Sequence, residues 1–251
     1  MVELNGKCAL VTGGSRGIGR AIALRLAESG ANVGINYLRN RSAADKTIAE
    51  LSKYDITAKA YKANVANEEH LHSLFKKFKE DYGRLDIMIS NAASGILKPA
   101  LELTQRHWNW TMGINASTLL HLVQHAMPLI GEDGGKIVAI SSLGSVRAIP
   151  NYTAVGASKA ALESLVRHLS IELAPKNVNV NTLSAGVVDT DALKHFPNRE
   201  EIINGSLAKT PAGRLTTPED VADVALFLVS PSAKMIHGQT IVVDGGYSIV
   251  A

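Results

Sequence analysis

The stretch that decides the fold covers residues 7–19 and reads KCALVTGGSRGIG. Its first half, residues 7–12, is a short apolar run with the length and composition of a buried β-strand. Its second half combines glycines, which permit a tight turn and a close approach of backbone to ligand, with the start of a helical pattern at Ile18. A strand, a glycine-rich turn and a helix in this order predict a nucleotide site, because the helix N-terminus presents free N–H groups and partial positive charge to a pyrophosphate. The predicted contacts are Gly13, Ser15, Arg16, Gly17, Ile18 and Gly19.

Short apolar runs alternate with longer amphipathic stretches along the rest of the chain. Several of the apolar runs are continuous, as in parallel strands that are covered on both faces. The pattern predicts an α/β protein with a single-domain Rossmann fold over residues 1–251: a doubly wound, seven-stranded parallel sheet with helices on both faces. The predicted strands are 7–12, 32–37, 58–62, 85–90, 136–141, 177–183 and 240–243. The predicted helices are 18–29, 42–53, 68–82, 104–130, 158–173 and 218–229.

Composition and charge exclude several classes of function. The chain has 251 residues and is 46% hydrophobic, which is enough for a substantial core. The net charge of +3, without a run of like charges, gives little support for nucleic-acid binding. No apolar run is long enough to span a membrane and no secretion signal is visible, so a cytoplasmic location is expected. One cysteine allows no internal disulfide, and the histidine spacings do not predict a metal site.

The end of the second predicted strand favours one nicotinamide cofactor over the other. NAD sites usually carry an acidic residue there that accepts from the ribose 2′-hydroxyl, and this sequence has none before Asp45. Arg39, Asn40 and Arg41 follow the strand instead, and Arg16 lies in the glycine loop. Guanidinium groups match a 2′-phosphate in charge and shape. The sequence therefore predicts NADPH, with Arg39 and Asn40 among its contacts.

A second group of residues lies in the middle and C-terminal parts of the chain. Tyr152 precedes Lys159 by seven residues, and Ser142 ends a predicted strand upstream of both. Together with the glycine loop, the segment NAASG at residues 91–95, Asn115 and the segment VDGG at residues 243–246, this pattern resembles the short-chain dehydrogenase/reductase family. The resemblance covers almost the whole chain.

The resemblance implies roles for further residues. It implies catalytic roles for Asn115, Ser142, Tyr152 and Lys159, with Lys159 also binding the nicotinamide ribose and lowering the pKa of the phenol. The segment that begins at Asn91 would brace the sheet beside the cofactor. Cofactor contacts are also implied for Asn64 and Val65 near the adenine and for Val188 and Thr190 on the nicotinamide side, although Ala185 stands where the family has a proline. The family further implies a homo-oligomer, with a tetramer expected.

The position of the tyrosine departs from most of the family, in which it lies four residues before the lysine. Here that position is Val155, and Ser142 keeps the usual thirteen-residue spacing to it. A Tyr-x6-Lys spacing is the arrangement of enoyl-acyl carrier protein reductases, and segments such as NYTAVGASKAALE are similar to the bacterial NADPH-dependent type III enzymes. Pro150 lies close upstream, so we expect Tyr152 at or before the first turn of its helix.

The displacement also has a chemical reason. In a ketone reduction, hydride and proton reach neighbouring atoms of one C=O bond. In the reduction of a trans-2-enoyl thioester, hydride reaches the β-carbon while negative charge appears on the carbonyl oxygen farther away, so the proton donor has to reach farther. The sequence therefore predicts NADPH-dependent reduction of the 2,3 double bond of enoyl thioesters on acyl carrier protein or coenzyme A, the last step of fatty acid elongation.

Three alternatives stay open at this point. The first is a 3-oxoacyl or other ketone reductase of the same family, and the second is a non-catalytic NADP-binding sensor. The third concerns residues 189–214. This segment is long for a connection between two elements, so we expect an irregular loop that acts as a substrate lid. Lys194, His195 and Arg199 within it would face an acidic carrier protein, or the segment is a plain solvated loop.

Overall fold

A computed structural model describes residues 2–190, 193 and 199–250. Its centre is one seven-stranded parallel sheet in the order β3-β2-β1-β4-β5-β6-β7. The predicted fold class is confirmed. The strands are β1 (Cys8–Val11), β2 (Asn32–Tyr37), β3 (Ala58–Lys62), β4 (Ile87–Ser90), β5 (Gly135–Ser142), β6 (Val178–Ala185) and β7 (Thr240–Val243).

Helices cover both faces of the sheet and bury two apolar layers. The α-helices are α1 (Gly17–Glu28), α2 (Arg41–Leu51), α3 (Glu68–Tyr82), α4 (Gln105–Met112), α5 (Thr118–Ala126), α6 (Thr153–Leu173), α7 (Arg199–Lys209) and α8 (Pro218–Val229). Buried residues of α1, α2 and α8 form one layer, and those of α3, α5 and α6 form the other. In β1, Ala9 and Val11 join the first layer while Cys8 and Leu10 join the second, as the two-residue period of a strand requires.

The strand order places the site. Chain connections run outward in one direction from β1 to β3 and in the other from β4 to β7. In open parallel sheets, ligands bind at such a reversal, at the carboxyl ends of the strands. β1 is followed by the glycine loop, β4 by the segment from Asn91, and β5 ends at Ser142. Three separate pieces of sequence therefore meet at one edge.

The structure differs from the prediction in three helical regions. The helix predicted over 104–130 is interrupted by a π-helical turn, Gly113–Ser117, between α4 and α5. α6 begins at Thr153 and not at residue 158. Within 189–214, predicted to be irregular, α7 occupies Arg199–Lys209; it buries only Ser206 among its residues, so no amphipathic pattern announces it. In the described part of the chain, no helix is both long and apolar enough to cross a bilayer.

Candidate active site

The glycine loop is built by backbone conformations that other residues rarely adopt. Gly13 and Gly17 have φ angles of 63° and 53°, in the left-handed region. A side chain at Gly19 would lie 2.5 Å from the carbonyl oxygen of Gly13 and would overlap the amide of Asn91. The loop therefore needs glycine at these positions to turn tightly and to bring α1 against β1 and β4.

The N-terminus of α1 lacks the side-chain cap that other helices have. In α2, α3, α4 and α8, a side chain of the residue before the helix accepts an N–H bond from the first turn, from Asn40, Asn67, Thr104 and Thr217 respectively. Arg16 precedes α1 with extended backbone and makes no such bond. Within the described residues, the N–H groups of the first turn of α1 thus have no cap from the side chain before the helix, and a phosphate oxygen is a suitable partner for them. These residues fit a dinucleotide cofactor.

Three polar residues that the sequence did not single out hold the loop in place. Asn36 in β2 donates its amide to the carbonyls of Tyr61 and Ala63 at 3.2 and 3.0 Å, and its backbone carbonyl accepts from Gly14 at 3.0 Å. Thr47, buried in α2, donates to the carbonyl of Ser15 at 3.1 Å. An asparagine inside an otherwise apolar strand is a signal that a sequence reading can use. Thr47 offers no such signal.

The third is Thr12, which joins the loop to Asn91. The Thr12 hydroxyl accepts from the backbone N–H of Asn91 at 3.0 Å, and the Asn91 amide donates to the carbonyls of Thr12 and Gly13 at 3.0 and 3.1 Å. The predicted bracing by Asn91 is thus realised in the hydrogen bonds.

Other predicted cofactor residues lie around the same edge. Thr190 is next to the loop, since a Cβ on Gly17 would lie 3.5 Å from its methyl group. Val188 is buried in the first apolar layer. Asn64 accepts from the N–H of Ala66 at 3.1 Å, and buried Val65 accepts from Thr118 through its carbonyl at 3.3 Å. Of these four, Thr190 is the one that this distance places beside the glycine loop.

The three residues of the basic segment after β2, residues 39–41, have different surroundings. Arg39 is exposed, and its guanidinium has no partner among the described residues. Asn40 uses its side chain to cap α2, accepting from Ala43 N–H at 2.9 Å. Arg41 lies 3.6 Å from Asp45 in an exposed ion pair. Arg39 is therefore the cation of this segment best placed to bind a phosphate.

Ser142, Tyr152 and Lys159 come together at the end of β5. The hydroxyl oxygens of Ser142 and Tyr152 are 3.3 Å apart. The Lys159 ammonium donates to the carbonyl of Ile140 at 2.7 Å. As the sequence predicted, Tyr152 precedes the first residue of its helix. The phenol thus reaches the serine from the N-terminal end of α6.

A slot between two glycines holds the ring of Tyr152. A Cβ on Gly144 would lie 2.6 Å from Cδ1 of Tyr152, and a Cβ on Gly156 would lie 2.6 Å from the carbonyl oxygen of Gly144. Val155 occupies the usual tyrosine position, is buried, and packs so closely on Gly95 that a Cβ there would overlap its Cγ2. The glycines therefore allow both the displaced ring and the valine that replaces it.

Asn115 lies in the π-helical turn and is buried. Its side-chain oxygen accepts from the N–H of Ser94 at 2.9 Å, and its amide donates to the hydroxyl of Ser158 at 2.9 Å. Asn115 thus joins the segment after β4 to α6 at Ser158, which is the residue before Lys159. π-Helical turns inside helices frequently mark functional sites.

Burial acts on both ionisable groups of the site. It lowers the pKa of Lys159 to about 8, and the charge of Glu163 works against this effect. Burial raises the pKa of Tyr152, and the hydrogen bond with Ser142 works in the opposite direction. The sequence predicted that the charge of Lys159 lowers the pKa of the phenol; in this structure the pKa of Tyr152 is raised instead, because desolvation outweighs the hydrogen bond with Ser142.

The predicted carrier-facing residues are only partly described. Arg199 donates to both carboxylate oxygens of Asp189 at 2.8 Å, so its charge is already paired. Lys194 and His195 lie outside the described residues. The described part of the chain contains no group of three His, Cys, Asp or Glu side chains suited to a metal ion.

Comparison with known proteins agrees with this geometry. Residues 13–248 match a family described as enoyl-(acyl carrier protein) reductase. The chain is 42% identical over 245 residues to 1-cyclohexenylcarbonyl-CoA reductase of Streptomyces collinus, covering 97% of this chain and 87% of the relative. It is 34% identical over 246 residues to 7α-hydroxysteroid dehydrogenase of Escherichia coli K12, covering 98% and 95%.

A solved structure extends the similarity to three dimensions. 7α-Hydroxysteroid dehydrogenase complexed with NADH and 7-oxo glycochenodeoxycholic acid superposes with a TM-score of 0.91 at 35% identity, covering 97% of this chain and 95% of that one. Fold and site define an oxidoreductase with a nicotinamide dinucleotide cofactor. The chain belongs to the short-chain dehydrogenase/reductase family.

Proposed function

We propose that this protein reduces the 2,3 double bond of enoyl thioesters with NADPH, as an enoyl-acyl carrier protein reductase of the type III kind. The observation that carries the proposal is the placement of Tyr152. Its phenol meets Ser142 from before the start of α6, while Val155 fills the usual tyrosine position. A proton donor at the end of the helix suits a substrate whose developing charge lies away from the carbon that is reduced.

The chain's own residues have separable tasks in this reaction. The bound cofactor supplies a hydride. Tyr152 donates its hydroxyl proton to the thioester carbonyl oxygen as charge develops there, and Ser142 orients that hydroxyl. The resulting enol returns this proton to the Tyr152 phenolate while a proton from solvent is added to the α-carbon, which completes the saturated thioester. Lys159 holds the cofactor ribose and places a positive charge beneath the site. Asn115 keeps α6 and the segment after β4 in register through Ser158 and Ser94.

Space for an acyl thioester lies beside the phenol. A cavity of about 240 Å³ is bordered by Tyr152 and Gly156 of the catalytic region and by Arg147 and Ile149 of the loop before α6. Part of this lining is apolar, and Arg147 adds a positive charge to it. Such a lining is compatible with an acyl chain carried on a phosphate-bearing arm, as in coenzyme A or acyl carrier protein.

The Streptomyces relative supports a conjugated substrate. The name of that protein, 1-cyclohexenylcarbonyl-CoA reductase, describes a thioester whose ring double bond is conjugated with the carbonyl. NADPH is supported by Arg39 after β2, which is exposed and has no partner in the part of the chain that the structure describes. We also propose that residues 1–251 form one domain with a substrate lid over 189–214, acting in the cytoplasm as a tetramer in fatty acid synthesis. Light scattering tests the tetramer.

A ketone reductase is the second candidate. The Ser142–Tyr152 hydroxyl pair at 3.3 Å also suits the polarisation of a simple ketone. The structural relative 7α-hydroxysteroid dehydrogenase was solved with a 7-oxo compound. This alternative predicts that carbonyl thioesters are reduced in preference to enoyl thioesters.

Replacement of Tyr152 by phenylalanine tests the proposed proton donor. We expect kcat on crotonyl-coenzyme A to fall by about 10²- to 10⁴-fold, the usual value of a positioned acid, with little change in NADPH affinity. Tyr54→Phe is the matched control, because Tyr54 lies in the connection from α2 to β3, away from the site. Near-wild-type turnover of Tyr152→Phe would exclude Tyr152 as the donor.

A further inference from the structure

A buried carboxylate lies in α6 that the proposed reaction does not use. Glu163 is 7% exposed and Lys159, one helical turn before it, is 6% exposed. Glutamate is rarely buried this far unless its charge is compensated and hydrogen-bonded. Its Oε1 accepts from the hydroxyl of Ser141 at 2.6 Å. The carboxylate therefore has one defined hydrogen-bond partner, and that partner is next to Ser142 in the sequence.

Three consecutive residues of β5 are joined to α6. The carbonyl of Ile140 accepts from Lys159, the hydroxyl of Ser141 donates to Glu163, and the hydroxyl of Ser142 meets Tyr152. The middle connection is the one without a role in the proposed reaction, and it lies between the other two. Its loss would loosen the strand end that positions Ser142 and the carbonyl that holds Lys159.

The electrostatic surroundings of Lys159 point to the same residue. Positions four apart in a helix lie on one face, so Glu163 is the neighbour of Lys159 along α6. In the part of the chain that the structure describes, Glu163 is the group whose charge raises the pKa of Lys159 against the effect of burial. β5 faces the pair with the neutral carbonyl of Ile140 and hydroxyl of Ser141, and the π-helical turn faces α6 with the neutral amide of Asn115.

We propose that Glu163 is a positioning residue of the active site. Its carboxylate anchors Ser141 beside Ser142 and balances the buried positive charge of Lys159, so that Lys159 binds the cofactor ribose as an ammonium group at neutral pH. This inference rests on the cofactor-binding role proposed for Lys159. It does not depend on whether the substrate is an enoyl thioester or a ketone.

The pH dependence of NADPH binding separates the two effects of Glu163. The dissociation constant is measured from nucleotide fluorescence, without any second substrate. Because binding needs protonated Lys159, affinity falls as pH rises through the pKa of Lys159. Glu163→Gln keeps an acceptor for Ser141 but removes the charge, so we expect this fall to begin about one pH unit lower than in the wild type. Ser141→Ala keeps the charge, so the fall begins at the wild-type pH.

Glu172→Gln is the matched control. Glu172 belongs to the same helix, is exposed, and loses the same charge in the same substitution. We expect its binding profile to follow that of the wild type. A Glu163→Gln profile that also follows the wild type would overturn the proposal, as would an equal shift in Glu172→Gln, since the effect would then be one of net charge.

Thermal unfolding checks that each variant is folded. If Glu163→Gln does not fold, Glu163→Asp replaces it, because aspartate keeps the charge and withdraws the carboxylate from Ser141. The proposal then expects the wild-type pH profile together with a lower kcat, because Glu163→Asp, like Ser141→Ala, loses the hydrogen bond that holds Ser141 beside Ser142. A displaced profile overturns it. If the wild-type protein binds NADPH but reduces no thioester, the proposed function is contradicted. The proposal for Glu163 is still tested in that case, because its test measures only NADPH binding.

Discussion

At the residue scale, two glycines explain how a tyrosine outside the usual position still meets the serine. Gly144 leaves room for the ring of Tyr152, and Gly156 in turn leaves room for the carbonyl of Gly144, which a Cβ at Gly156 would approach to 2.6 Å. The phenol oxygen then lies 3.3 Å from Ser142. The position of the ring is set by backbone that passes close to it, and the spacing of Tyr152 and Lys159 alone does not determine it.

Gly144→Ala should therefore act on catalysis and not on cofactor binding. The added Cβ would lie 2.6 Å from Cδ1 of Tyr152, so the ring has to move away from Ser142. We expect kcat on crotonyl-coenzyme A to fall by about 10²-fold, the cost of a donor misplaced by about 1 Å, with NADPH affinity retained. Gly131→Ala is the control, because a Cβ there meets nothing within 4 Å and Gly131 lies before the first residue of β5, at the opposite end of that strand from Ser142. A kcat for Gly144→Ala equal to that of the control would contradict the slot.

Sequence reasoning found the polar residues that meet at the end of β5 but not the residues that support them. Ser142, Tyr152 and Lys159 follow from spacing and residue type. Gly144, Glu163 and Thr47 do not, because their importance comes from contacts across long sequence separations, such as the 22 residues between Ser141 and Glu163. The direction of the pKa of Tyr152 was also missed, since burial of a side chain at a helix start is a property of the folded chain.

At the element scale, apolar runs predicted the central strands because these strands are covered on both faces; every residue of β1 and β6 is buried. β2, β3 and β7 have the predicted bounds, as do α3 and α8, whose starts carry a side-chain cap. The π-helical turn escaped prediction because it inserts one extra residue into a helix without interrupting the hydrophobic pattern. α7 escaped it because the helix has almost no buried face.

The proposed preference for NADPH rests on the segment that follows β2. Arg39→Ala should raise the dissociation constant of NADPH by about 10- to 100-fold, as expected for a lost charge-assisted hydrogen bond, and should leave that of NADH nearly unchanged. Arg41→Ala is the neighbouring control and should change much less, because Arg41 pairs with Asp45. Titration of each variant with both nucleotides gives the answer. Equal weakening for the two nucleotides would show that Arg39 does not bind a 2′-phosphate.

At the scale of the whole molecule, the strand order assembles the site. The reversal between β1 and β4 brings the glycine loop, Asn91 and the end of β5 to one edge of the sheet. α6 then adds Tyr152, Lys159 and Glu163 from a single helix and its first flanking residue. These segments are far apart in the sequence. The strand order explains how they nevertheless form one continuous candidate site for cofactor and substrate.

The central claim is that the displaced phenol serves a conjugated double bond. The most direct measurement is NADPH oxidation by the wild-type protein with crotonyl-coenzyme A and, separately, with acetoacetyl-coenzyme A, with products identified by mass. We predict a higher kcat/KM on crotonyl-coenzyme A, with butyryl-coenzyme A as the product. A higher kcat/KM on acetoacetyl-coenzyme A, with 3-hydroxybutyryl-coenzyme A as the product, would contradict the account and identify a ketone reductase.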